Sequence, residues 1–105
     1  MVTRWWLPLA LVAATLTGTP GARAQEPSFD SAAALQKSGK FDAAAAEYRR
    51  FLEVYPANVE ARSNLGVVLM QQGRAAEARQ HLEQALRLAP GLPQAEQALQ
   101  AIAAP

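Results

Sequence analysis

His81 is the single histidine of the chain, and there is no cysteine anywhere to stand beside it. General acid–base catalysis or metal ligation needs partners that converge on one point, and the run Arg79-Gln80-His81-Leu82-Glu83 supplies only neighbours fanned around a helix. Arg79, Glu83 and Arg87 recur every four residues, the spacing of a solvated row of ion pairs. No glycine-rich phosphate loop is present. The residues therefore argue against an enzyme and call for no metal and no cofactor. Recognition chemistry is better served. Glu60, Asn64, Val67 and Gln71 follow one another at spacings of four, three and four. At about 100° per residue that is one stripe of a helix, with amide groups for a backbone and an apolar contact beside them.

Positioning such a stripe is the task of a repeat. Sliding the sequence by 34 aligns Glu26 with Glu60, Leu35 with Leu69, Gly39 with Gly73, Ala44 with Ala78, Leu52 with Leu86 and Pro56 with Pro90, while Tyr48 falls on Leu82. Within the second unit, Leu65 and Leu69 mark the apolar face of a helix over 59–72, and Ala78, Leu82, Ala85 and Leu86 that of a helix over 75–88. Gly73 is placed to close the first helix in a left-handed conformation, and Pro90 to stop the second. Gly66 lies beside Leu65 and Leu69, so its missing side chain predicts a close approach of the two helices. Shifting the stripe back by 34 adds Glu26, Asp30, Ala33 and Lys37, and a further helix continues it with Gln94, Ala98 and Ala101.

This pattern resembles the tetratricopeptide repeat, a 34-residue helix-turn-helix unit. The match is carried by Leu65-Gly66, Leu69, Gly73, Ala78, Leu82, Ala85 and Pro90, with Arg62 in place of the opening aromatic. The first unit matches through Gly39, Ala44, Tyr48 and Pro56 but has Ser31-Ala32 where Leu-Gly belongs and Phe51 where a small residue belongs. Its first helix is expected to be short, starting near Ser28 or Asp30. The fold class expected is all-α: a solenoid of two units, 25–58 and 59–92, with a capping helix over 93–105. In that helix Pro93 opens the first turn, Ala95, Ala98, Leu99 and Ile102 face inward, and Gln94, Gln97 and Gln100 face outward.

The resemblance implies a concave groove, lined by first helices, that grips an extended peptide or a partner helix. It also implies that Asn64 bonds the ligand backbone. The basic clamp for a C-terminal carboxylate found in one branch of the family is missing, because Phe29, Ala33, Gln94 and Ala98 occupy its places. The site expected is thus Asn64, Val67, Gln71, Glu60, Asp30, Ala33 and Lys37, taking a protein or peptide.

Residues 1–24 read as a signal peptide. Arg4 precedes a twelve-residue apolar run from Trp5 to Leu16, and Ala22-Arg23-Ala24 offers a cleavage site before Gln25. Such a run rises about 18 Å as a helix, short of the roughly 30 Å hydrocarbon core. Cleavage would leave eight basic residues against nine acidic ones, with no basic block for nucleic acid. A periplasmic or secreted protein-interaction module is expected. Its alternative is a structural or self-associating unit, or one end of a longer array, in cell-envelope assembly. The run YRRFLEVYPAN resembles repeats that serve that process.

Overall fold

The computed structural model describes residues 26–104; the expected leader and its cleavage site lie outside the described residues. Five helices follow in order: α1 (Phe29–Lys37), α2 (Phe41–Val54), α3 (Val59–Gln71), α4 (Ala75–Leu88) and α5 (Pro93–Ala103). Local chemistry sets their ends. Ser28 and Asn58 cap α1 and α3, their side chains accepting from Ser31 N at 3.2 Å and Ala61 N at 2.8 Å. Gly39 and Gly73 have φ of +76° and +81°, a region in which a side chain is strained. Each closes its helix with the same pair of bonds: Gly73 N to Met70 O and Arg74 N to Leu69 O, repeated 34 residues earlier as Gly39 N to Gln36 O and Lys40 N to Leu35 O. Pro56 and Pro90 hold Tyr55 and Ala89 outside the helical region and so end α2 and α4. Pro93 sits in the first turn of α5.

Each helix packs on the next, and α3 also touches α5. Being central, α3 is buried over most of its circumference, through Ala61, Ser63, Leu65, Gly66, Val68 and Leu69. The close approach predicted at Gly66 is present. A Cβ there would lie 2.6 Å from Leu82 Cγ and 2.7 Å from Cδ2. Eight of the fourteen buried apolar residues are alanine, so the helices lie close and the core is thin.

The first unit differs from the second where the sequence does. Helix α1 has nine residues against thirteen in α3, and its first residue, Phe29, packs edge-on against Tyr48 (5.8 Å) and Phe51 (5.9 Å). Phe51 continues onto Tyr55 at 4.8 Å. Residues 63 and 85, one repeat later, are serine and alanine. The large side chain at 51 therefore serves the aromatic cluster on the short helix. The expected ion-pair row on α4 does not form. Arg79, Glu83 and Arg87 are exposed, and the ion pairs among the described residues are Arg49–Glu77 (2.5 Å) and Arg50–Glu47 (2.7 Å).

Candidate functional site

The stripe Glu60, Asn64, Val67 and Gln71 lies on a face of α3 that holds none of its six buried positions. Glu60 and Gln71 are exposed, while Asn64 and Val67 are half-buried. On α1, Asp30 and Lys37 are exposed and Ala33 is half-buried. No hydrogen bond or ion pair among the described residues joins Asp30 or Lys37 to the α3 stripe. Gln94 of α5 does reach it, and so does a residue that periodicity alone assigns to the core.

That residue is Tyr48, fully buried on α2. Its hydroxyl donates to Gln36 Oε1 at 2.8 Å and accepts from Asn64 Nδ2 at 3.2 Å, and Gln94 Nε2 donates to Asn64 Oδ1 at 2.8 Å. Donors and acceptors run in one direction along Gln94, Asn64, Tyr48 and Gln36, so each bond polarises the next. Burial pushes the Tyr48 hydroxyl above its ordinary pKa, with the Asn64 N–H opposing and the charge of Glu60 adding to the rise. The phenol keeps its proton and therefore its donor role. A tyrosine where the second unit has Leu82 was the available signal, because a buried phenol needs a partner. Asn64 is held at both ends of its amide and still retains one N–H and one lone pair. Those two groups match the C=O and N–H of one peptide unit.

Arg62, where the repeat pattern has an aromatic, ties the second unit to the loop before it. Its Nη1 donates to Gln84 Oε1 at 2.6 Å and lies 3.4 Å from His81 Nδ1, and its Nη2 donates to Pro56 O at 2.8 Å. Burial holds the His81 imidazole below its ordinary pKa, and the Arg62 charge acts in the same direction. Both effects favour the neutral ring beside a guanidinium at a helix junction. Glu77, on the adjacent turn, is held below its ordinary value by the hydrogen bond from Arg49. Among the described residues no three of His, Cys, Asp or Glu are grouped to hold a metal ion, and no helix is long and apolar enough to cross a membrane.

Shallow depressions mark the surface of the described residues. One lies at Gly39, Phe41 and Gln72, one at Pro56, Arg87 and Leu88, and one at Pro27, Val54 and Tyr55. None of the three includes a residue of the α3 stripe. A search of curated proteins finds no match. A family model does match: that of the tetratricopeptide repeat, over residues 29–93, from the first residue of α1 to the first residue of α5. The paired helices, the two glycine closures and the Gly66 contact agree with it, and the chain belongs to the tetratricopeptide repeat family, whose units are non-catalytic and mediate protein–protein interaction.

Proposed function

We propose that the chain is an exported interaction module that holds an extended segment of a partner protein along the α3 stripe. The observation that carries this reading is Asn64. Its amide is fixed by Tyr48 and Gln94 before any ligand arrives, so little side-chain entropy remains to be lost when a peptide backbone pairs with its free N–H and lone pair. Val67, half-buried one turn on, offers an apolar contact. Glu60, Gln71, Asp30, Ala33 and Lys37 border these two. Acidic groups thus stand near the starts of α1 and α3, and Lys37 at the far end of α1.

A peptide selected from a random display library on the immobilised protein provides the probe. Asn64→Ala should weaken its binding by about 0.5–1.5 kcal/mol, and Val67→Glu by more, because it sets a charge against apolar ligand atoms. Arg79→Ala, on the exposed face of α4, should leave affinity unchanged. Melting of each variant separates lost binding from lost fold, since Asn64 also ties α2 to α5. If Arg79→Ala weakens binding and the two stripe variants do not, the stripe is not the site. Export rests on Ala22-Arg23-Ala24 after a short apolar run. Intact mass of protein from the envelope fraction should start at Gln25, and a mass that includes Met1 would refute cleavage.

A further inference from the structure

All three large apolar side chains that stand exposed among the described residues lie on one edge of the array. Val54 (55% exposed) and Tyr55 (52%) end α2, and Leu88 (48%) ends α4. Val54 and Leu88 are the same position of consecutive repeats, 34 residues apart. The residue before each is exposed and charged, and the charges are opposite: Glu53 precedes Val54, and Arg87 precedes Leu88. Neither is in an ion pair with a described residue. The two depressions on this edge carry the same contrast. Glu26 lies with Pro27, Val54 and Tyr55 in one, and Arg62 and Arg87 lie with Pro56 and Leu88 in the other. Pro56, whose carbonyl accepts from Arg62, follows Tyr55 directly in the chain.

We infer that this edge is the docking surface for a second copy of the chain, related by a two-fold axis that passes between the ends of α2 and α4. Such an axis places the end of α4 of one copy over the end of α2 of the other. Val54 and Tyr55 then meet Leu88, and Glu53 meets Arg87, with each contact made twice. The pattern is self-complementary because one repeat position carries the same apolar character and opposite charge in its two occurrences. A partner of uniform charge would be attracted at one depression and repelled at the other. The surface is small, so the dimer is weak and sensitive to salt. It lies apart from the α3 stripe and stands or falls independently of peptide binding there.

Sedimentation of the purified full chain, with its N-terminus read by intact mass, tests this. The mass should rise toward that of a dimer as protein goes from micromolar to millimolar. The rise should shrink between 0.1 M and 1 M salt, as the screening length falls from about 10 Å to about 3 Å. Arg87→Glu and Glu53→Arg should each weaken association at least about tenfold, because each sets two like-charge pairs across the axis. An equimolar mixture of those two variants restores every opposite pair and should associate as the wild type does, as should the double exchange. Circular dichroism verifies that each variant folds. A wild type that stays monomeric throughout overturns the inference. So do single variants that associate as strongly as the wild type, or a mixture that fails to recover association.

Discussion

Gly66→Ala sets helix propensity against packing, and the structure decides which wins. In the interior of α3 alanine is favoured over glycine by about 1 kcal/mol. The added Cβ would stand 2.6 and 2.7 Å from two carbons of Leu82, about an ångström inside the normal contact distance of roughly 3.5–4.0 Å. Leu82 has nowhere to go, since it is wholly buried between α3 and α4. Overpacking of this kind costs about 1–3 kcal/mol, and with two carbons overlapped the upper half of that range applies. The net effect is a loss of about 1–2 kcal/mol, or a fall in Tm of roughly 4–16 °C for a domain of this size. Thermal melting followed by circular dichroism reads it directly. A cycle with Leu82→Ala isolates the cause, run in an osmolyte so that the doubly perturbed chain stays folded. With the leucine truncated, Gly66→Ala should stabilise by about 1 kcal/mol. A Gly66→Ala protein that melts higher than wild type, with Leu82 in place, would show that the helices have room and that the close approach is not what selects glycine.

Tyr48→Phe keeps the ring among its neighbours but removes the hydroxyl between Gln36 and Asn64. It should cost about 0.5–1.5 kcal/mol and raise amide exchange at the start of α5, where Gln94 loses a fixed partner; unchanged exchange there would disconnect Gln94 from the chain of bonds. His81 makes stability depend on pH. Its folded-state pKa lies below the unfolded value of about 6.5, so the unfolded chain takes up the proton first. The stability is therefore complete above that value and is lost as pH falls through it toward the folded pKa. His81→Gln should remove that slope while leaving the separate loss from Glu77, which lies below the ordinary carboxylate range. An identical slope in the variant would assign it to another group.

The elements of the second unit were legible because their signals are local. Asn58, Gly73 and Pro90 act within a few residues of themselves, and Leu65, Leu69, Ala78 and Leu82 repeat with the helical period, so α3 and α4 end within one residue of the expected bounds. The short α1 was legible for the same reason. The stripe was legible as a face, since periodicity says which residues point away from Leu65 and Leu69. What Asn64 does on that face was not. Its partners lie 16 and 30 residues away, on helices whose rotation about their axes depends on packing that periodicity does not encode. Arg62 is a similar case. Read as a departure from the repeat pattern, it proves to be bonded to Gln84 and to Pro56 O, contacts that exist only once the loop and α4 have converged.

The line of hydrogen bonds from Gln36 to Gln94 also bears on how the array keeps its alignment. Alanine faces such as Ala44, Ala61, Ala78 and Ala95 are nearly smooth, and two smooth helices can slide by a turn with little loss of apolar contact. Side chains that fix a unique fit are few in such a core. A slip of α2 or α5 by one turn would strand the buried Tyr48 hydroxyl without a partner, at about 1–3 kcal/mol, and cost the half-buried Asn64 amide its fixed partners. The four polar residues thus act as dowels through stacked boards. They add little to the strength of the stack, yet they admit only one way of assembling it.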